Sequence, residues 1–542
     1  MKKANFSHFI ILFLFISLAF FYPVVSPLLV GYGYDIAGVA SAKPHYISRN
    51  STHKMRVAEA DEAWDISTNV TIINRILSIS KDILIHDNGT LILINSTLEM
   101  NSTYPGELGL KVFDGGSLIL INSTITTLNA SNPYYIKVTN GSTLYINNSK
   151  ISHAGTWGSP ILQSEYQHSG GFYYSSGLSI SEIPRFALSV EESNIAILNS
   201  VFQNIKCGIT LYKVENCMII DNIISGELAL RLSASNSSVV ANNTLISMSI
   251  WLSNTKNVNV SDNTLIGGEI SISDPIDTRA IRNTVIYGYK NSGIEIYMSA
   301  PGVCTVKENR LFRCGFFIDG EKEALTGLLL ENNMVNSKPL VFILNSSDQK
   351  YAFGNYVGQV FAIYSENITI QDTYISDTGR AIVILRSTNI TIANVTLIGN
   401  SVGLYFLECT NCLVIRSNVI SAVEGIYAYT CRYTTITENI IENNSYGIYL
   451  RKSNNNTISE NIIQGNHYGI YLWGSPNNTI TNNTFRDNAV DVFDVSSAVP
   501  WYQNLFIYLG IFLLGVVVSG IIVVYLKYKK KRMLNVGTQK PK

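Results

Sequence analysis

The chain has 542 residues, equal numbers of acidic and basic side chains, a formal net charge of zero and only 14% charged residues. No basic face exists outside the extreme C-terminus, which argues against nucleic acid as a partner. The length exceeds that of an ordinary single-core domain, so it requires either several cores or an architecture that extends by repetition.

The N-terminus reads as a secretory signal over residues 1–42. Lys2 and Lys3 precede an apolar run from Phe9 to Phe21, and Ala40-Ser-Ala42 offers a small-residue cleavage site. The long distance from run to cleavage site leaves an uncleaved anchor as the alternative. Residues 43–69 form an N-terminal segment. From 70 to 154 the chain repeats itself: Asp87-Asn-Gly-Thr-Leu-Ile-Leu-Ile-Asn-Ser-Thr, then Asp114-Gly-Gly-Ser-Leu-Ile-Leu-Ile-Asn-Ser-Thr, then Asn140-Gly-Ser-Thr-Leu-Tyr-Ile, at spacings of 25 to 27 residues. These are read as wide first coils of a solenoid. Residues 155–185 break the pattern with Gly155-Thr-Trp-Gly-Ser-Pro and Gly170-Gly-Phe-Tyr-Tyr-Ser-Ser-Gly, an inserted loop.

From 186 to 495 the period is shorter, and it largely sets the expected fold. Gly403, Gly425, Gly447 and Gly469 stand 22 residues apart and open Gly403-Leu-Tyr-Phe, Gly425-Ile-Tyr-Ala, Gly447-Ile-Tyr-Leu and Gly469-Ile-Tyr-Leu. A second apolar segment follows each, around Ile436, Ile458 and Ile480, with Asn439, Asn461 and Asn483 three residues later. A period in this range marks a solenoid or propeller. Each unit holds only short alternating runs separated by Asn, Ser, Thr and Gly, with no room for a helix. The predicted fold is therefore all-β, a parallel β-helix with one coil per repeat. Roughly 14 coils at about 4.8 Å each give a rod of order 65 Å over residues 186–495. The Asn residues, with weaker upstream equivalents at Asn222, Asn243, Asn263, Asn283, Asn309 and Asn418, are expected at coil corners. There they would adopt the left-handed backbone and bond the amides of neighbouring coils. Acidic neighbours of this ladder (Asp221, Asp262, Glu308, Glu438, Glu460) are read as a solvated corner rather than a catalytic row.

In Gly-Ile-Tyr-Leu the pattern places Ile426, Ile448 and Ile470 inward and Tyr405, Tyr427, Tyr449 and Tyr471 outward, with Tyr429 and Trp473 on the same outer face. The stacked rings are candidates either for stabilising the sheet or for binding the face of a sugar. Seven cysteines are present. Cys409 and Cys431 each lie six residues after a repeat Gly, on adjacent coils and within disulfide reach, so a bridge or a pair of buried thiols is expected. The histidines are scattered and no spacing favours a metal or another cofactor.

Residues 496–504 are a linker. Residues 505–526 lack any charge, and at 1.5 Å per residue they would extend about 33 Å, enough to span a bilayer. Trp501 and Tyr502 flank one side, and Lys527, Lys529, Lys530, Lys531 and Arg532 begin a basic tail, 527–542, on the other. The expected topology is single-pass, with the β-helix outside and the C-terminus in the cytoplasm. The chain carries about twenty Asn-X-Ser/Thr sequons, among them Asn95, Asn122, Asn367, Asn389 and Asn394. The combination suggests a glycosylated surface protein of archaeal style.

The run Ile436-Thr-Glu-Asn-Ile-Ile … Gly447-Ile-Tyr-Leu … Ile458-Ser-Glu-Asn-Ile-Ile … Gly469-Ile-Tyr-Leu closely resembles the repeats of the NosD-type family, within the wider group of right-handed β-helix carbohydrate-binding proteins and sugar hydrolases. The resemblance is clear from about 375 to 490 and weaker back to about 186. It implies the right-handed β-helix, and the family name implies a periplasmic role related to copper, for which no His or Met cluster is present. Pectinase-type motifs are absent. Asp274-Pro-Ile-Asp277 resembles an epimerase Asp-Pro-His-Asp motif, but Ile276 replaces the acid/base. The expected role is non-catalytic binding of glycans or another surface component. The alternatives are a polysaccharide lyase, hydrolase or epimerase, or a passive stalk.

The topology is checked by protease treatment of intact cells. The β-helix should be digested while a C-terminal tag survives; digestion of the tag would reverse the orientation.

Overall fold

The computed structural model describes residues 63–139, 141–155, 186–288 and 292–495, together with two short strands, His45–Tyr46 and Met55–Arg56. Residues 1–46 form one unit and 47–542 another; the account below concerns the second. The expected signal (1–42), most of the inserted loop (155–185) and the span 505–526 lie outside the described residues. Among the described residues no helix is long and apolar enough to cross a membrane.

The chain winds into a right-handed parallel β-solenoid of about 18 turns. Its short runs alternate because each strand buries one face and wets the other. In Ser117–Ile121 the pattern is half-buried, buried, half-buried, buried, half-buried. Coils up to residue 335 have three sheets. The first runs from Trp64–Ile66 to Gly315–Gly320, the second from Asn69–Ile73 to Leu328–Glu331, and the third from Ile76–Ile79 to Met334–Val335. Register stacks like on like: Leu93, Leu120, Ile146, Ile197, Ile219, Val240, Val260, Ala280 and Val306 form one inward column. Each such fully buried aliphatic side chain contributes about 1.5–3 kcal/mol.

At 336 the winding is interrupted. Val335 pairs antiparallel with Lys338, and Met334 with Pro339. Between them Asn336 (φ 49°) and Ser337 (φ 64°) both take the left-handed backbone that a tight hairpin turn requires. A second stack then begins, with a fourth sheet formed by Lys338–Leu344, Gln359–Ile363, Arg380–Leu385, Val402–Leu407, Glu424–Tyr429, Tyr446–Arg451, Tyr468–Trp473 and Val490–Asp494. A fifth sheet faces it across a separate core.

The two stacks are joined by a cap. An open coil end would leave the first core wet, and the second stack covers it. Phe361, Ile363, Val383, Leu385 and Leu407 point out of the second stack and belong to the first core, while their neighbours Val360, Ala362, Ile382, Ile384 and Phe406 fill the second. Strand Gln359–Ile363 is consequently buried at every position. Polar groups finish the seal. Gln359 bonds Phe316 twice, accepting from its amide and donating to its carbonyl, each at 2.8 Å. The Tyr364 hydroxyl donates to the Gly320 carbonyl at 3.0 Å, and Arg386 pairs with Asp319 and, at 3.1 Å, with Glu408.

The Asn ladder lies inside the coil. Asn222, Asn243, Asn263, Asn283 and Asn309 are buried, and the amide and side chain of each donate to the Oδ1 of the next at 2.9–3.0 Å or close to it. Asn439, Asn461 and Asn483 repeat the scheme. The left-handed backbone expected at these residues falls instead on the one before: Asp221, Asp262, Glu308, Glu438 and Glu460 all have φ of 57–59°. The reason is geometric. The corner residue turns outward to solvent, which aims its successor's amide inward at neighbouring coils. Serine performs the same role in early coils, where Ser96, Ser123, Ser149 and Ser200 lead into Asn222. The repeat glycines answer a different need. At Gly403, Gly425 and Gly447 an added Cβ would lie 2.5–2.6 Å from the next repeat glycine's carbonyl oxygen.

Asn461→Leu should leave the Asn439 amide and the Ile436 carbonyl unbonded and cost on the order of 3 kcal/mol or more, whereas Asn461→Ser should cost about 1 kcal/mol. Equal losses in denaturant melts would contradict the ladder's role.

Candidate functional site

One outward column of the fourth sheet changes character along its length. In register it reads Phe342, Phe361, Val383, Tyr405, Tyr427, Tyr449, Tyr471 and Phe493. Phe361 and Val383 cap the first core. From Tyr405 onward the column stays aromatic; Tyr405 still touches the first core, Tyr427 is buried at 8% exposure, Tyr449 and Tyr471 are half-buried, and Phe493 is exposed. Tyr405 marks the meeting line: its ring sits edge-on to Phe317 at 6.0 Å, and Phe317 belongs to the outer face of the first sheet. Phe317 in turn packs edge-on against Tyr297 at 5.7 Å. Two outer faces, one from each stack, therefore meet along a line of aromatic rings.

Beyond that line the tyrosines form a wall. Successive ring centroids are 5.3 Å (Tyr405–Tyr427), 5.1 Å (Tyr427–Tyr449), 4.9 Å (Tyr449–Tyr471) and 5.3 Å (Tyr471–Phe493) apart. A second file, Tyr446 over Tyr468 at 5.3 Å, packs beside it. Tyr427 is nearly covered by its neighbours, Tyr449 and Tyr471 are half-buried, and Trp473 is 50% exposed. Arg451 lies over both Tyr429 (5.2 Å) and Trp473 (5.0 Å).

Charged groups gather at the closed end of the wall. The Arg380 guanidinium lies 4.2 Å from the Phe317 ring centroid and 5.3 Å from that of Tyr405. Glu424, in register with Tyr446, is held above the usual carboxylate range by burial, with Arg380 and Arg451 opposing the shift. Burial pushes the Tyr405 hydroxyl up to about 12 and raises those of Tyr427 and Tyr449. The wall tyrosines are therefore neutral donors at physiological pH. Glu295 accepts from Tyr297 at 3.2 Å on the facing sheet. Rings, a carboxyl and guanidinium groups on an open surface suit an extended, hydroxyl-rich ligand.

The structure brings Tyr405, Tyr427, Tyr449, Tyr471, Tyr429 and Trp473 onto one outer face, but not as a uniformly open stripe. Tyr405 and Tyr429 pack partly against the first core. Glu424, Arg451, Arg380 and Phe317 were missed, because the last two come together only through the cap. A signal was present in the continuous apolar runs Val360-Phe-Ala-Ile and Ala381-Ile-Val-Ile-Leu, which mark strands covered on both faces. Asp274 accepts from the amide and hydroxyl of Ser299, both at 2.7 Å, in a turn whose Ile276 is exposed, so the epimerase-like motif is structural.

The bridge considered for Cys409 and Cys431 is not formed; both are buried free thiols. They occupy a column otherwise made of Ser365, Ser387, Ser453 and Ser475, and each thiol donates to the carbonyl two residues before it, Leu407 or Tyr429. The Cys431 sulfur accepts from the Cys409 amide at 3.4 Å. Both side chains thus act as hydroxyl substitutes pointing inward in parallel. At the hairpin turn a cleft of about 390 Å³ is lined by Ser337, Lys338, Tyr287, Arg313 and Asp377 among others, with Arg313 lying over Tyr287.

The model of the family described as periplasmic copper-binding protein (NosD) matches residues 341–510, and that described as right-handed beta helix region matches 176–337. The two matches divide at the Asn336-Ser337 turn. No curated protein sequence matches the chain. Solved structures similar to the chain include the periplasmic alginate epimerase AlgG, at 10% identity, 78% coverage of each chain and a TM-score of 0.20. A PL6 alginate lyase in complex with a trisaccharide matches at 13% identity, covering 84% of this chain and 90% of the lyase with a TM-score of 0.25. The tailspike protein of E. coli bacteriophage HK620 in complex with a hexasaccharide matches at 11% identity, 72% and 71% coverage and a TM-score of 0.28. Likeness this distant carries no argument about ligand. Among the described residues no group of three or more His, Cys, Asp or Glu is arranged to hold a metal ion, so the copper of the family description finds no ligand set there.

Glu424 gives a pH prediction. Its pKa is raised on folding, so the folded state holds its proton more tightly than the unfolded state. Its contribution is therefore most favourable below the unfolded carboxyl value, near pH 4.3, and is lost as pH rises through the folded value. Glu424→Gln should melt higher than the parent at neutral pH, with the gap closing near pH 4. A gap independent of pH would refute the assigned environment.

Proposed function

Because the chain belongs to the NosD-type right-handed parallel β-helix family, we propose that it uses the coil as a scaffold for binding an extended glycan along the tyrosine wall. The observation that carries this reading is the in-register file from Tyr405 to Phe493, which leaves the shelter of the cap and stays aromatic on an outer face. An outer sheet face in contact with water alone needs no such file. The ring separation follows the coil spacing, about 4.8 Å, so the accessible rings Tyr449, Tyr471 and Phe493 offer successive stacking places to a linear polymer. Hydroxyls of the neutral tyrosines and the Arg451 guanidinium would bond the sugar edges.

The reading places the wall outside the cell, on a chain carrying a leader at 1–42 and anchored by 505–526. Support comes from the basic flank after Leu526 and from sequons such as Asn95, Asn122, Asn367, Asn389 and Asn394, which fall on exposed corners. A second reading, a polysaccharide-processing enzyme, draws on Glu424 beside Arg380 at the closed end. Cleavage or epimerisation of a bound glycan would establish it.

Tyr449→Ala combined with Tyr471→Ala should weaken glycan binding by roughly 2 kcal/mol, about thirtyfold, because two stacking faces are lost. The melting temperature should fall only slightly, since each coil leans chiefly on its neighbours. Unchanged binding with a markedly lower melting temperature would show that the rings only hold the sheet together.

A further inference from the structure

We propose that Arg380 is the docking point for an oxyanion, a carboxylate or a sulfate, carried by one sugar of the glycan on the tyrosine wall. This rests on the binding reading above and names the class of glycan. Two other arginines are paired with carboxylates. Arg282 forks onto Asp262 with two bonds of 2.7 Å, and Arg386 bonds Asp319 and Glu408. Arg380 forms no ion pair among the described residues. Its single hydrogen bond there runs from Nη1 to the Ser292 hydroxyl at a long 3.4 Å. Its Nε is buried and finds no partner among those residues. The guanidinium carbon lies 4.2 Å from the Phe317 ring centroid and 5.3 Å from that of Tyr405, one ring from each stack, and the two rings stand at 82° to each other, so they fix the position of the charge at the meeting line. A planar fork of this kind matches the two oxygens of a carboxylate or sulfate.

Position supports the same conclusion. Arg380 heads the register column Arg380, Val402, Glu424, Tyr446, Tyr468. An oxyanion bound there would fix the end of a chain lying along the rings, which themselves give no register. A guanidinium whose one hydrogen bond is long retains N–H groups on its terminal nitrogens for an acceptor, and an oxyanion supplies one.

The test uses the full-length protein and three oligosaccharides of equal length: a glucuronate oligomer, a sulfated oligomer and a neutral glucan. The parent should prefer at least one of the charged oligomers, and which one identifies the oxyanion. Arg380→Gln should weaken that binding roughly tenfold or more and flatten its salt dependence, and should weaken glucan binding much less. Arg380→Lys, which keeps the charge but loses the fork, should recover only part of the loss. Glucan bound as well as either charged oligomer, or equal weakening of all three by Arg380→Gln, would overturn the proposal and leave the tyrosine wall standing. Binding of none of the three would overturn both.

Discussion

A stack of coils has two ends, and an apolar core open at either end is untenable in water. The end of the first core, after residue 335, is closed by side chains from the outer face of the second stack. That single requirement explains why Phe361, Ile363, Val383 and Leu385 stand where a solenoid would normally place polar residues. It also explains why the chain reverses through two consecutive left-handed residues at Asn336 and Ser337. The meeting of the two outer faces at Phe317 and Tyr405 follows from it. Without the cap there would be no closed end to the tyrosine wall and no pair of rings around Arg380.

Within each stack the coils are held by a second economy. Every turn of the chain must satisfy inward-pointing amides at its corners, and buried asparagine does so by bonding the next asparagine. The column that includes Cys409 and Cys431 shows that the requirement is for a small donor and acceptor rather than for one residue type, because serine hydroxyls and cysteine thiols both fill it. The same latitude separates early coils, with serine at Ser96 and Ser123, from later ones with asparagine at Asn243 and Asn263.

The period of 22 residues, the inward Ile426, Ile448 and Ile470 and the outward tyrosines could all be read from the sequence, because they depend only on alternation along a strand and repetition between strands. The ladder asparagines were legible as structural, except Asn418, whose expected place is taken by Ser417, although their left-handed backbone belongs to the preceding residue; spacing cannot distinguish neighbours at one corner. The hairpin at Asn336 and Ser337 was not legible, since one reversed turn leaves the repeat grammar intact on either side. The charged end of the site was hidden for a related reason. Phe317 and Arg380 are separated by 63 positions, and no periodic relation links them. Their contact comes from one stack closing the other, a long-range event with only the doubly buried strands as its local trace.

Because each coil adds one ring to the open wall, the reach of that wall is set by the number of coils after the cap. Loss or duplication of a single 22-residue unit such as 447–468 would shorten or lengthen it by one ring while leaving the cap, the closed end and the internal ladders in place. The wall thus works as a gauge. Its zero lies at Tyr405 and its divisions are the coils, so unequal recombination between repeats would change the number of rings without touching the cap.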